Sequence, residues 1–314
     1  MHQVGKDIQL AREFLEKGEL VAIPTETVYG LAGNAINPDA VAKIFSVKNR
    51  PYFDPLIVHV ASLEQAQNLV TEFPEPALHL AQAFWPGPLT LLLRKKNIIP
   101  DLVTAGLDTV ALRIPRHELT LSLLDILPFP LAAPSANPFG YISPTCVSHV
   151  EEQLGKKIPY ILEGGPCHIG LESTIIGFEG NKPLVYRLGG ISLEEIEGHC
   201  GPVKMVNSTG EKASSPGQLT SHYAPRKKLI LGDLHQLMAE YPAHCTGFLS
   251  FREDLHSPFQ KILSPEGNLE EAAKNLFSSL RALDKMPIQV ILGELVPDIG
   301  LGKAINDRLK RASA

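Results

Sequence analysis

At 314 residues the chain is long enough for about two domains of ordinary size, and its 44% hydrophobic and 20% charged residues are those of a soluble globular protein. A net charge of −5, from 29 basic and 34 acidic residues, argues against broad attraction to nucleic acid or an anionic membrane and leaves room only for a local basic cleft. No apolar run approaches the roughly 20 residues that span a bilayer. The N-terminus lacks a signal-peptide pattern. Cys146, Cys167, Cys200 and Cys245 show no C-x-x-C spacing, which disfavours a zinc site and fits a reducing compartment. The expected location is cytoplasmic, with no membrane partner.

The first predicted element is an amphipathic helix over 6–17, with Ile8, Ala11, Phe14 and Leu15 on one face and Gly18 closing it. Leu20 to Ile23 reads as a short buried strand that halts at a proline. Pro24-Thr25-Glu26-Thr27-Val28-Tyr29-Gly30-Leu31 follows and sets hydroxyls and a carboxylate at a strand's carboxyl end, where open α/β sheets keep their ligand crevice. Asn37-Pro38-Asp39 caps a helix over 40–47. Lys48-Asn49-Arg50-Pro51-Tyr52-Phe53-Asp54-Pro55-Leu56-Ile57-Val58-His59 then runs into a second apolar strand, Leu56 to Val60. Two cations two residues apart in an extended segment are well placed to hold an anion such as a polyphosphate. Ser62 and Gln65 form a capping box for the next helix. Trp85-Pro86-Gly87-Pro88 is a rigid turn, with Trp85 a structural corner, and feeds a strand over 89–93.

Asp108 to Pro115 is another strand, with Arg113 set among apolar residues. A charge there must be paired or bind an anion. A structural salt bridge and a substrate carboxylate both satisfy that requirement. Arg116 and His117 read as surface residues. Leu131 to Pro138 is a strand end running into a polar loop with Ser135 and Asn137, and Ser143-Pro144-Thr145 is either a helix cap or part of the same cleft. Leu171 to Ile176 places Ser173 and Thr174 just ahead of a β-branched strand, and Leu184 to Gly190 is a strand with Arg187 near its end. The recurrence of Thr, Ser and Arg at strand ends points to one shared pocket. A short helix over 192–198 closes the first domain.

Residues 206–226 are Ser/Pro/Gly-rich and read as a linker, in which Tyr223, flanked by His222 and Pro225, is unusual for a mere spacer. From Leu229 onward, strands over 229–231, 246–251 and 288–292 alternate with helices over 233–240, 268–284 and 302–312. That alternation gives a small parallel-sheet domain. Gly300-Leu301-Gly302 lacks the strand-to-helix setting of a phosphate loop.

The PTETVYGL and KNRPYFDPLIVH segments resemble the paired signatures of the Sua5/YciO/YrdC family. The SPG…HYAP stretch with its α/β tail resembles the longer Sua5 subgroup, so the likeness covers essentially the whole chain. It implies an α/β fold: a YrdC-like twisted mixed open sheet with helices over 1–205, a linker or lid over 206–227, and a small Rossmann-like α/β/α Sua5 domain over 228–314. It implies a nucleotidyltransferase that makes L-threonylcarbamoyl-adenylate and pyrophosphate from L-threonine, bicarbonate and ATP, for threonylcarbamoylation of tRNA. By the same resemblance Thr27, His59, Arg113, Ala133 and Ser173 would contact threonine. Lys48, Arg50, Asp54, Thr109, Ser135, Asn137, Ser143, Arg187 and Tyr223 would contact ATP, with Lys48 and Arg50 central to catalysis. Mg²⁺ is expected to arrive with ATP, held mainly by phosphates. A downstream tRNA threonylcarbamoyltransferase complex is the partner the resemblance implies, together with tRNA or double-stranded RNA contact. The rival reading is an RNA-binding module of YrdC type without nucleotide turnover. It lacks the Lys/Arg-rich run and clustered aromatics that such a role needs.

Overall fold

The structure is a computed structural model and describes residues 2–206, 215 and 222–314. Most of the expected linker therefore lies outside the described residues. The chain opens with β1 (Gln3–Gly5), α1 (Ile8–Glu16), β2 (Val21–Ile23), β3 (Gly30–Asn34), α2 (Pro38–Lys48) and β4 (Ile57–His59). It continues with α3 (Leu63–Leu69), α4 (Glu75–Phe84), β5 (Leu89–Arg94), α5 (Asp101–Thr104), β6 (Thr109–Arg113) and α6 (Glu118–Ile126). Then come β7 (Leu131–Ala132), α7 (Val147–Leu154), β8 (Tyr160–Leu162), β9 (Thr174–Glu179), β10 (Lys182–Arg187), α8 (Leu193–Cys200) and β11 (Lys204–Met205). The remainder is β12 (Lys228–Leu231), α9 (Leu234–Glu240), β13 (Thr246–Ser250), β14 (Gln260–Ile262), α10 (Leu269–Lys285), β15 (Val290–Gly293) and α11 (Gly302–Ala312).

Strands β1 to β11 form one mixed sheet in the order β1-β8-β2-β3-β7-β4-β6-β5-β9-β10-β11. The second sheet, β12-β15-β13-β14, is parallel throughout, as the βαβα alternation requires. No helix of the described residues is long and apolar enough to cross a membrane.

Alternate residues of a strand face opposite ways, and this sorts the first sheet into two different faces. Leu31, Val58, Leu91, Leu112 and Ile176 pack on one face with Ile44 and Phe45 of α2, Leu80 of α4 and Ile196 of α8. On the opposite face Val21, Ile23, Ala32 and Leu131 pack with Leu15 of α1 and Leu123 and Leu124 of α6. Over β4, β5, β6 and β9 that second face carries instead a small cluster of Ile57, Leu92, Ala111 and Ile175. His59 and Arg113 belong to this face by the same alternation and are direct neighbours in the parallel β4/β6 register. A separate core joins Val28, Ile142, Leu171 and Tyr223 to Phe277 and Leu280 of α10 and to Ile305 and Leu309 of α11, which binds the second sheet's helices to the first domain.

Most elements read from the sequence form, with ends moved by a residue or two. The Ser62 cap accepts from the Gln65 N–H at 3.2 Å, but Gln65 reaches back to the Ala61 N–H at 2.9 Å, one residue earlier than a capping box would have it. The sequence reading has no counterpart for β1, β3, α4, α5, α6, α7, β8, β11 or β14. Strand β14 is a half-exposed edge strand of three residues, too short to show a period. His117 corrects the expectation of a surface residue. It caps α6 half-buried, with its ring against Gly164, where an added Cβ would come within 2.4 Å of the imidazole. Trp85 is the structural corner expected, its Nε1 donating to the Leu89 carbonyl at 2.8 Å.

Candidate active site

The open half of the second sheet face floors a cavity with about 560 Å³ of empty space, partly continuous with solvent. Thr27, Arg50, His59, Arg113, Ala133, Ser135, Ser173, Arg187 and Tyr223 line it, with Thr25, Val28, Gly30, Pro55, Ile57, Pro134, Glu172 and His222. Thus segments 25–30, 50–59, 133–135, 172–187 and 222–223 converge on one space, as repeated strand-end hydroxyls and cations imply.

The loop after β2 is held by its own hydroxyl. Thr25 Oγ1 donates to the Val28 carbonyl at 2.6 Å and accepts from the Thr27 and Val28 amides at 3.2 Å, a local turn typical of Thr. This aims Thr27 Oγ1 at Arg113, whose Nη2 donates to it at 2.9 Å. Arg113 also pairs with Glu26 at 2.9 Å, both side chains only 4% exposed. The sequence left Arg113 between a structural ion pair and a ligand-facing role. The structure contains the ion pair and also exposes the guanidinium to the cavity. Beside it, His59 is 3% exposed, and its Nδ1 has no hydrogen-bond partner among the described residues. Burial, then the Arg113 charge, pushes its pKa down to about 3, so the imidazole is neutral at physiological pH. Ala133 adjoins the same corner, its N–H donating to the Ile57 carbonyl at 2.9 Å.

Lys48 and Arg50 do not sit in an extended segment. Lys48 is the last residue of α2, and Asn49 ends the helix in the left-handed conformation (φ 53°), which Asn tolerates better than most side chains. The turn folds both cations inward. Lys48, 1% exposed, donates from Nζ to the carbonyls of Ser135 and Asn137, each at 2.5 Å, and so lies behind the cavity wall rather than on it. Burial, then the Arg50 charge, lowers its pKa well below the usual lysine value. Arg50 faces the cavity, paired with Asp54 at 2.9 Å and donating to the carbonyls of Asp54 and Pro55. Asp54 is therefore beside Arg50 but beneath the surface. Asn137 Nδ2 donates to the Pro138 and Tyr141 carbonyls and shapes the loop after β7 instead of lining the space. Ser143 also stands one layer back, its Oγ donating to Glu172 Oε1 at 2.6 Å. Thr109 is not brought together with these groups. It shares the open face by alternation but begins β6, four residues before Arg113, and so stands about 13 Å away along the strand.

On the far wall Ser173 Oγ contacts Thr90 Oγ1 at 2.7 Å and accepts from Arg187 Nη2 at 3.0 Å. Burial pulls the Arg187 pKa down to about 10, leaving the group charged near neutrality. Tyr223, fully buried, holds a left-handed backbone (φ 66°) and stacks on Phe277 with ring centroids 5.5 Å apart. Sequence reasoning missed Glu172, the carboxylate between Arg187 and the interdomain contact. It sits inside the Leu171-Glu172-Ser173 strand lead-in, and nothing in its spacing separates it from an exposed turn residue.

The cavity thus presents three buried guanidinium groups, Arg50, Arg113 and Arg187, with Lys48 behind them. Such a cation set can hold two anionic groups at once. Among the described residues no three His, Cys, Asp or Glu side chains are grouped as a metal cage.

The Sua5/YciO/YrdC family model, described as telomere recombination, matches residues 13–189, and the model described as the threonylcarbamoyl-AMP synthase C-terminal domain matches 191–314. The chain is 41% identical to the threonylcarbamoyl-AMP synthase of Pyrococcus abyssi, over 98% of this chain and 94% of that protein. It is also 41% identical to that of Bacillus subtilis, over 98% and 92% respectively. The chain belongs to the threonylcarbamoyl-AMP synthase family. A crystal structure of P. abyssi Sua5 complexed with L-threonine matches with a TM-score of 0.93 at 40% identity, covering 99% of this chain and 97% of that one. Escherichia coli YciO, at 21% identity and a TM-score of 0.54 over 60% of this chain, shares the fold of part of the chain only.

Proposed function

We propose that the chain condenses L-threonine, bicarbonate and ATP into L-threonylcarbamoyl-adenylate and pyrophosphate, the activated intermediate for threonylcarbamoylation of tRNA. The observation that carries this reading is the convergence of Thr27, His59, Arg113 and Ser173 with Arg50, Ser135, Arg187 and Tyr223 around one cavity. The family's full-length relatives bear the synthase name, and a member has been crystallised with L-threonine.

Threonine ammonium and bicarbonate give a carbamate, water and one proton. A carbamate oxygen then forms a bond to the α-phosphorus as the bond to the bridging oxygen breaks, and pyrophosphate leaves. The nucleophile is already anionic, so no side-chain nucleophile is needed, and Cys167 is not prepared as one, since it is buried and burial raises its thiol pKa. Arg113 would take the amino-acid carboxylate by sharing its guanidinium with Glu26, and Thr27 and Ser173 would fix the remaining polar atoms. His59, neutral down to acid pH, serves as a hydrogen-bonding wall rather than a proton store. Two anions must meet, and Arg50, Arg187 and Lys48 would neutralise them and hold them in line. Asp54, Asn137 and Ser143 would shape the nucleotide end from behind, and Thr109, about 13 Å from Arg113 along its strand, takes no part in it. Mg²⁺ fits as a guest of the nucleotide: the cavity-lining carboxylate Glu172 is already bonded to Ser143 and Arg308, so phosphate oxygens and water would carry the ion, which adds charge neutralisation. The product hydrolyses readily, so a tRNA threonylcarbamoyltransferase complex would have to receive it promptly; the chemistry needs no direct tRNA contact.

The test is pyrophosphate release from ATP with threonine and bicarbonate each left out in turn. Release that requires both supports the proposal. Salt-dependent tRNA binding with no release under any condition overturns it.

A further inference from the structure

We propose that Arg308, on the last helix of the second domain, is a positioning residue of the active site: it holds Tyr223 and Glu172 in place at the nucleotide end of the cavity. The inference rests on the proposed synthase reaction and assigns the second domain a part in it.

Arg308 is 1% exposed and among the largest fully buried side chains of the described residues. Its guanidinium carries no ligand-facing surface, yet three of its contacts lead to the cavity. Nε donates to Glu172 Oε2 at 2.9 Å, Nη2 donates to the carbonyl of Leu188, next to Arg187, at 2.7 Å, and its carbon lies 5.1 Å from the centroid of the Tyr223 ring. A planar cation can make all three contacts together, one flat face on the aromatic ring and N–H groups in the plane. Nη1 bonds to Asp307 at 2.5 Å, so the group is tied at its own helix as well.

Two physical consequences separate this from simple domain adhesion. Tyr223 has a left-handed backbone that an L-residue with a bulky side chain keeps only when its surroundings hold it there. Phe277 supports one side of the ring, and Arg308 supplies a second contact. Glu172 has one oxygen taken by Ser143 and the other by Arg308. Without Arg308 a buried carboxylate would face the cavity half-satisfied, beside the place where a polyphosphate must sit, and would repel it. Arg281 on α10 makes a useful contrast. It too is buried across the domain boundary, but it donates to the carbonyls of Ile142 and Ser143 and to Gln153, none of which lines the cavity.

The experiment is steady-state pyrophosphate release by the full chain with Arg308→Ala, Arg308→Lys and the double variant Arg308→Ala/Glu172→Gln, with thermal melting of each. The expected result is a KM for ATP raised more than ten-fold in Arg308→Ala, with the KM for threonine within two-fold of wild type. Arg308→Lys keeps a charge beside Glu172 but loses the flat contact, so its KM for ATP rises less, about three- to ten-fold; it carries the test alone if Arg308→Ala does not fold. The double variant should regain most of the ATP affinity, because it removes the uncompensated carboxylate. A folded Arg308→Ala with a KM for ATP within two-fold of wild type overturns the proposal. So does a parallel rise of both KM values that follows the melting temperature and is not rescued by Glu172→Gln, the signature of adhesion alone. Wild type without threonine- and bicarbonate-dependent release would instead remove the synthase reading, and equilibrium binding of Mg·ATP to the same variants would then decide the role of Arg308.

Discussion

Replacing Arg113 by methionine separates the two roles that its sequence setting leaves open. The Arg113 and Glu26 side chains are each 4% exposed and 2.9 Å apart. Removing one partner of a buried pair leaves the other uncompensated and costs about 3–5 kcal/mol. At about 2–4 °C per kcal/mol for a unit of this size, the melting temperature of Arg113→Met should fall by roughly 6–20 °C. Loss of one charge-assisted contact to the substrate carboxylate costs about 1.5–3 kcal/mol, or about 10- to 150-fold in the KM for threonine. The double variant Arg113→Met/Glu26→Gln removes the stranded charge and should recover most of the stability, while the KM for threonine stays high. Differential scanning calorimetry and pyrophosphate release report the two quantities independently. If melting temperature and KM return to wild-type values together, Arg113 is a structural residue and the reasoning fails.

Lys48→Ala removes the Nζ bonds to the Ser135 and Asn137 carbonyls that shape the cavity wall, and at about 1.5–3 kcal/mol for a charge-assisted hydrogen bond should lower ATP turnover about 10- to 150-fold; unaltered pyrophosphate release would remove Lys48 from the site. His59 has a folded pKa lowered to about 3 from 6.5, so its stabilising contribution is complete above pH 6.5 and is lost as pH falls toward 3. Urea unfolding of His59→Gln between pH 7 and 5 should therefore lose less stability than wild type, by up to about 1.4 kcal/mol per pH unit, and identical slopes would contradict the burial argument. An added Cβ at Gly189 would lie 2.3 Å from the Glu172 carbonyl oxygen and 2.4 Å from the Ser173 carbonyl carbon. Gly189→Ala should cost about 1–3 kcal/mol in stability and displace Ser173, which a raised KM for threonine would reveal.

The parts of the site that the sequence made legible are those whose local pattern is chemically odd. A proline followed by two hydroxyls and a carboxylate, a histidine ending an apolar strand, and an arginine inside another each stand out against their neighbours, and each lies at the cavity or in its wall. Lys48 and Arg50 stood out too, but their conformation did not, because the reversal depends on Asn49 adopting a left-handed turn that asparagine permits but does not dictate. Arg308 was illegible. It occupies a helix with Lys303, Lys310 and Arg311, and only the packing of one domain on the other distinguishes the buried cation from the rest. The second sheet was legible because apolar strands alternate with long amphipathic helices. Its edge strand β14 was not, since an edge needs little apolar surface.

The division of β4 and β6 into a core-facing and a ligand-facing set has a bearing on how such a chain can change. Insertion or deletion of one residue within either strand would exchange the two sets, burying His59 or Arg113 against helices and turning Val58 or Leu112 toward the ligand. Length variation in descendants of this chain should therefore be confined to the connecting loops, while these strands vary by substitution alone.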